Sequence, residues 1–538
     1  MDKLLAKHFP EIDGLFEHQK TVLSFIEKNM KTLSVVPTGG GKSLIFQLAS
    51  LKQQGTTIVI SPLKALMIEQ VIELNKRGIN AISINSDISF QEQRKLLRTL
   101  GIKPPKLLYV SPERLHNQFF RAALLHGIKI IPLVVIDEAH CISQWGIDFR
   151  PEYGAIKPFI EFLQDNDYFP TVLALTATLG IQARHDIETE FEIDKTNIEP
   201  NVIRTDLKLN FEEVSDDKSK VELIKSFIKT NNLIKVIVYL YSINKCEELS
   251  HEFPGSTFFH AALDPAVKLS RMEEFKNSDS SLLFATTAFG MGINIPDVDG
   301  IIHHDIPGSV EEYYQHVGRA ARDNTKCPIG NCLMLWSEKN FDIKAQDIKR
   351  DSIKKEHLIK AMELLGLPYS VDNKVIVDEN VFTVNDGKYG RPNMKLIYRI
   401  FEKHGICTTI GEIHGKPRSI GFKKPTTAWQ EIVGSLKPGR NNYLVAAKKS
   451  GYSLQQIINH VYEQELAGNI EKLPATERQL IIEAHYDSLS EEQIDLFLKE
   501  NAEIQKVKKA RLDELMQLCT SSDKQLYIAK VLGVPYSS

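Results

Sequence analysis

Residues 35–43, "VVPTGGGKS", pass from a β-rich apolar stretch through three consecutive glycines to a lysine and a serine, and the apolar run "LIFQLASL" (44–51) follows at once. That order reads as strand, tight turn, helix. Glycines at 39–41 let backbone N–H groups close around an anion, and the start of the helix adds the positive end of its dipole. In this setting Thr38, Gly39, Gly40 and Gly41 would wrap phosphate oxygens, Lys42 would reach β and γ phosphates, and Ser43 would hold Mg²⁺. Val36 stands where the strict GxxxxGK[ST] pattern has its first glycine.

Farther along, "LVVIDEAH" (133–140) places Asp137 and Glu138 at the end of an apolar strand. In an open α/β sheet the nucleotide crevice lies at such strand ends. Asp137 fits a carboxylate that holds the metal, and Glu138 a base that orients and deprotonates the attacking water. A lone acidic pair is usually just a solvated strand end; behind a phosphate loop it points to a nucleoside triphosphatase.

The surrounding chain agrees with this. From about residue 15 to 345, short β-rich runs ("TTIVIS" at 56, "KLLYVS" at 106, "TVLALT" at 171, then "KVIVYL" at 235, "STFFHA" at 256, "SLLFAT" at 281, "VDGIIHHD" at 298) alternate with amphipathic stretches. Such alternation predicts parallel-sheet α/β architecture. The rhythm breaks near residue 200, at "DKTNIEPNVIRTDLKLN", which predicts two lobes, 1–199 and 200–345, followed by a mainly helical region, 346–538. In that last region Ser453 with Gln456 and Ser490 with Gln493 have the spacing of capping boxes. "VAAKKSGYSLQQIINHVYEQELAGNIEKL" reads as helix, turn, helix, of the kind winged-helix modules use.

At 538 residues, 42% hydrophobic and 25% charged, the chain has the composition of ordinary globular domains. A net charge of −3 gives no global basic field, so a polyanion must be bound by a local cleft. The six cysteines include no CxxC pair and fit a reducing compartment. No apolar run reaches the length of a bilayer span. The expectation is a protein that is not secreted and does not engage a membrane, cytoplasmic or nucleoid-associated in a prokaryote and nuclear in a eukaryote.

Further stretches occur in a fixed order: "SPLKALMIEQ" (61), "LLYVSPERL" (107), "LALTAT" (173), "TTAFGMGINIPDV" (286) and "EYYQHVGRAARD" (312). Together with the phosphate loop, "DEAH" and the aromatic-rich "CISQWGIDFRPEY" (141–153), this set resembles a superfamily two helicase of the RecQ type over roughly residues 5–345. The resemblance implies two tandem RecA-like lobes with ATP and Mg²⁺ between them. It also implies an ATP-dependent DNA helicase that moves 3′ to 5′ on single-stranded DNA and unwinds tailed duplexes. Arg319 and Arg322, three apart on a predicted helix, would act as arginine fingers, with Gln315 positioning water or phosphate beside them. Gln19 resembles the glutamine that reads the adenine edge, although Phe16 and His18 stand where that pattern often has Arg and Gly. Trp145, Phe149 and Arg150 would contact single-stranded DNA, because bases stack on ring faces and arginine pairs with phosphate. The same loop would then couple DNA occupancy to Glu138. An RNA helicase, or a DNA-stimulated ATPase that switches or translocates without separating strands, are the competing readings; a monomer is the expected state.

The resemblance weakens after residue 345. "KKARLDELMQLCTSSDKQLYIAKVLGV" resembles the helical hairpin that opens the family's four-cysteine zinc module, with Cys519 at its first ligand position. One cysteine cannot hold zinc tetrahedrally, so the expectation for 505–538 is a helical packing remnant without a zinc site. The basic stretch around Trp429 and Tyr443 fits a duplex-binding surface, a solvated basic face or a protein-docking site, and sequence does not choose among them.

Overall fold

The computed structural model describes residues 1–538 except 38, 86–87, 89, 143–150, 178, 200–202, 261, 288, 290–294, 324, 351, 366–372, 379–393, 415–441, 455, 458–459, 462–477, 535 and 537–538. The first lobe is built on β1 (Thr32–Val35), β2 (Thr57–Ile60), β3 (Ala81–Ile84), β4 (Leu107–Val110), β5 (Leu133–Ile136), β6 (Thr171–Thr176) and β7 (Lys195–Ile198), in the order β3-β4-β2-β5-β6-β1-β7. Every pairing is parallel. Helices cover both faces, so the central strands are apolar throughout; all four residues of β5 are fully buried. Among the covering helices are α1 (Glu17–Glu27), α2 (Lys42–Lys52) and α3 (Lys64–Lys76). Because β5, β6 and β1 are neighbours, their carboxyl ends bring "DEAH", "TAT" and the phosphate loop side by side.

A second parallel sheet follows: β8 (Leu207–Glu213), β9 (Lys235–Tyr239), β10 (Thr257–Phe259), β11 (Ser281–Ala285), β12 (Gly300–His303) and β13 (Gly330–Trp336), ordered β10-β11-β9-β12-β13-β8. Helix α4 (Val310–Val317) packs its Val310, Tyr313 and Tyr314 into that lobe's core. The stretch expected to break the strand rhythm instead contains two strands, β7 and most of β8. Both lie at sheet edges, where half the residues face water, so the continuous apolar run that marks a buried strand is missing.

The C-terminal region adds a three-stranded antiparallel sheet to its helices. Its strands are β14 (Lys374–Asp378), β15 (Cys407–His414) and β16 (Arg478–Ala484), ordered β14-β16-β15. Alternation gives the sheet two apolar faces. Val375, Val377 and Ile482 join a local core with Ile397 and Phe401 of α5 (Met394–Lys403), while Ile376 and Ile481 pack on the first lobe's core. Tyr443 and Ala446 of α6 (Asn442–Ser450) pack there too; the rest of the predicted helix–turn–helix falls partly outside the described residues. Both predicted capping boxes form. Gln456 N–H donates to Ser453 Oγ and Gln493 N–H to Ser490 Oγ, each at 3.2 Å, with the return bonds at 2.9 Å.

The Ser490 box opens α7 (Glu491–Thr520), a helix of 30 residues. Its first part, with Ile494 and Phe497, belongs to the accessory core. Its last part, Leu512, Leu515, Leu518 and Cys519, enters the second lobe's core with Ile528 and Leu532 of α8 (Lys524–Leu532). All six cysteines are free thiols and buried, and burial pushes the Cys519 thiol up to about 12. Among the described residues no helix is long and apolar enough to cross a membrane.

The fully buried Leu515 side chain should make the α7 contact costly to lose. Leu515→Ala is expected to destabilise the second lobe by about 2–5 kcal/mol, read as a lower midpoint in urea unfolding; an unchanged midpoint would mean the helix is not part of that lobe's core.

Candidate active site

The phosphate loop leaves β1 at Val35 and turns through Gly39 (φ 86°) and Gly41 (φ 75°). A Cβ on Gly41 would stand 2.3 Å from Gln19 Nε2, and one on Gly40 2.6 Å from a methyl of Val36. Gly41 is therefore required by its left-handed backbone, and Gly40 by the close approach of Val36. Gln19, on α1, is buried; it donates to the Gly41 carbonyl at 3.3 Å and accepts from the Phe16 N–H at 2.9 Å. His18 bridges the Gly40 carbonyl (3.0 Å) and Glu199 (3.0 Å). His18, one of the two residues that depart from the common pattern, thus forms a second brace on the loop.

Lys42 and Ser43 open α2. Lys42 Nζ lies 3.7 Å from Glu138 Oε1. Ser43 Oγ accepts from Gln70 Nε2 at 2.9 Å, and Gln70 Oε1 accepts in turn from the Tyr109 hydroxyl at 2.7 Å, so α3 and β4 fix the hydroxyl expected on Mg²⁺. Asp137 is buried; its Oδ2 accepts from Ser61 Oγ at 3.0 Å, and its carbonyl accepts from the Tyr153 hydroxyl at 2.7 Å. Burial, then the neighbouring Glu138 charge, push the Asp137 carboxyl up to about 6. Glu138 sits in the left-handed region (φ 50°, ψ 49°), a conformation that costs a non-glycine residue about 1–3 kcal/mol. It turns the carboxylate toward Lys42 and toward His140 Nδ1, at 3.4 Å.

His140 joins the two lobes. Its Nδ1 lies 2.9 Å from Thr176 Oγ1, at the end of β6, and Gln315 Nε2 of α4 comes within 3.4 Å of its Nε2. Gln315, expected beside the arginines, therefore also meets the "DEAH" stretch.

The arginines themselves are not on a helix. The α-helical bonding of α4 ends at Val317. Beyond it Arg319 N–H bonds His316 O and Ala320 N–H bonds Val317 O, both i→i+3 at 3.1 Å, and Ala321 takes φ 50°. Gly318 weakens the helix there, and the carbonyls that a helix would use bond elsewhere, to Arg204. Arg319 is only 8% exposed; burial raises the Tyr239 hydroxyl pKa, and the Arg319 charge acts on it in the opposite sense. Tyr239 stacks on His316 at 4.1 Å and donates its hydroxyl to the Phe289 carbonyl at 3.1 Å. His316 meets His303 at 3.0 Å; burial holds both rings neutral, His303 down to about 3. Burial, then the Arg319 charge, pull Arg322 down to about 9, which leaves it protonated at neutral pH; Glu138 of the other lobe acts on it in the opposite sense.

The structure thus gathers Gln19, Gly39, Gly40, Gly41, Lys42, Ser43, Asp137, Glu138, Gln315, Arg319 and Arg322 around one interlobe cleft. Thr38, Trp145, Phe149 and Arg150 lie outside the described residues. Sequence reasoning missed Ser61, Gln70, Tyr153, Arg204 and Tyr239, whose partners lie far along the chain and leave no local pattern.

Compared with known proteins, residues 16–187 match the DEAD/DEAH box helicase family and residues 219–324 the helicase conserved C-terminal domain. The ATP-dependent DNA helicase RecQ of Bacillus subtilis (strain 168) is 35% identical over 378 residues, 69% of this chain and 62% of that protein. The probable ATP-dependent DNA helicase RecS of the same organism is 32% identical over 67% of this chain and 72% of its own length. This chain therefore spans less than two thirds of the first relative and more than two thirds of the second. The Mycobacterium smegmatis helicase Lhr, solved with single-stranded DNA and AMP-PNP, shares the fold with a TM-score of 0.53 at 14% identity, over 98% of this chain and 92% of Lhr. With two helicase domains matched in order and a RecQ-type relative aligned over most of its length, the chain belongs to the RecQ-type family of ATP-dependent DNA helicases.

Proposed function

We propose that the protein is an ATP-dependent DNA helicase that moves 3′ to 5′ on single-stranded DNA and separates tailed duplexes. The observation that carries this reading is the cleft itself. Lys42 from one lobe pairs with Glu138, the charge of Glu138 acts on Arg322 of the other lobe, and Arg319 lies near enough to Arg322 for its charge to act on it. That leaves an excess of buried positive charge suited to a triphosphate.

Ser43 and Asp137 supply the hard oxygen donors that suit Mg²⁺, and their bonds to Gln70 and Ser61 orient both. The ion, when bound, neutralises charge between the β and γ phosphates. Glu138 takes a proton from the attacking water as its oxygen bonds to the γ-phosphorus and the bond to the β-phosphate oxygen breaks, releasing ADP and phosphate. Lys42 and the two arginines balance the charge that develops. Because the arginines belong to the second lobe, hydrolysis requires closure, and each cycle of closing and opening shifts the affinity of the two lobes for the strand across them. Trp145, Phe149 and Arg150 fall in the sequence between Glu138 and the Tyr153 that bonds Asp137, an order that supports a role in reporting DNA to the carboxylates.

With ATP and Mg²⁺, the protein should displace the strand of a 3′-tailed duplex while Lys42→Ala does not; ATPase stimulation by single-stranded DNA without displacement would replace this reading with a translocase or switch, and stronger stimulation by RNA would replace the substrate. Arg322→Ala should bind a nucleotide analogue as the wild type does, yet hydrolyse ATP about 10³-fold or more slowly, measured in single turnovers. Trp145→Ala should keep nucleotide binding and lose most of its stimulation by DNA; undiminished stimulation would remove the coupling role from this segment.

A further inference from the structure

The turn that carries Arg319 and Arg322 is held by a residue outside both helicase motifs. Arg204 lies in the segment joining the lobes, between β7 and β8, and each of its five guanidinium N–H donors has a partner. Nε donates to Asp206 Oδ1 at 3.0 Å, and Nη2 donates to Asp206 Oδ2 and to the Ala321 carbonyl. Nη1 donates to the Ala320 carbonyl at 2.7 Å and the Gly318 carbonyl at 3.4 Å. The Arg204 backbone is fixed as well, its N–H donating to the Tyr314 hydroxyl of α4 at 2.7 Å and its carbonyl accepting from Gln525 of α8 at 3.2 Å.

The turn needs this support. After Val317 its carbonyls have lost their helical partners, and Ala321 is in the left-handed region. Its N–H groups are held from the opposite side, Ala321 by the Val298 carbonyl at 2.8 Å and Asp323 by the Pro296 carbonyl at 3.1 Å. Gly330 allows the close packing beneath, since a Cβ there would come 2.6 Å from Ala320 Cβ. Asp206 balances the Arg204 charge, so the residue adds rigidity to the arginine site without further net charge.

We infer that Arg204 is a positioning residue: by bonding the three carbonyls of Gly318, Ala320 and Ala321 it sets where Arg319 and Arg322 stand against the γ-phosphate. This rests on the hydrolysis reading above. Its consequence is specific to the transition state, because a finger displaced by a fraction of its length loses the developing charge while ground-state binding persists. Lysine cannot replace the fork, since an ammonium donates from a single point and cannot span Asp206 and the three carbonyls together.

The test compares Arg204→Lys, Arg322→Ala and the double variant in the full chain. Arg204→Lys should lower kcat by about 10- to 10²-fold while AMP-PNP binding stays within about twofold and binding of ADP with aluminium fluoride weakens in step with kcat. The double variant should be slower than Arg322→Ala by a smaller factor than Arg204→Lys costs in the wild type, because of the two arginines being positioned only Arg319 remains. Wild-type kcat in Arg204→Lys, an equal loss of AMP-PNP binding, or additive losses in the double variant would each overturn the inference. Should Arg204→Lys fail to fold, Asp206→Asn, which frees the guanidinium to swivel, must show the same split in milder form, and its absence there overturns the inference equally. If Arg322→Ala itself hydrolyses at the wild-type rate, the hydrolysis reading fails rather than the positioning step alone.

Discussion

Everything at the cleft depends on how the buried acidic pair is balanced. Two adjacent carboxylates at the end of a strand buried on both faces would be costly, since each desolvated charge loses several kcal/mol of hydration. Asp137 answers by hydrogen bonding and a raised pKa, and Glu138 by adopting a strained backbone that turns it to Lys42 and His140. The remaining compensation comes from Arg322 across the cleft. Charge balance therefore depends on the separation of the lobes, and the two sheets share one electrostatic problem although each has its own core.

Among the described residues, polar contacts between the lobes include the Gln315–His140 approach and the half-exposed Lys276–Glu69 ion pair, each of the kind that contributes about 1 kcal/mol or less. Contacts of that strength can separate and reform within a catalytic cycle, whereas the sheets on either side cannot. Glu69 neighbours Gln70 on α3, so the same helix meets the second lobe and the hydroxyl of Ser43.

How far the sequence could be read follows from the range of each interaction. Lys42, Ser43, Asp137 and Glu138 are defined by neighbours within a few residues, a strand behind and a glycine turn or helix ahead, and such patterns survive in one dimension. The buried strands β1, β2, β4, β5 and β6 were legible for the same reason, as unbroken apolar runs. Edge strands β7 and β8 were hidden by their exposed polar residues, and the arginine turn was mistaken for helix because its fate is decided by Arg204, more than a hundred residues earlier. Gln70, Tyr153 and Tyr239 act through folded proximity, which no local spacing encodes. In the C-terminal region the helices, the capping boxes and the β14 strand opening "NKVIVDENVFTVNDGKYG" (373–390) can be read, but not the sheet, whose strands are brought together from three distant segments.

The long helix α7 has one end in the accessory core and the other in the second lobe, while the accessory sheet rests on the first lobe through Ile376 and Ile481. Thirty α-helical residues make a rod of roughly 45 Å with little axial give. The polypeptide thus connects its two halves twice: once by the segment around Arg204 and once by a stiff strut outside the motor core. On the proposed function, two tethers of unequal stiffness would favour swivelling about the strut over simple spreading, and the accessory region's grip on the first lobe would limit each closure.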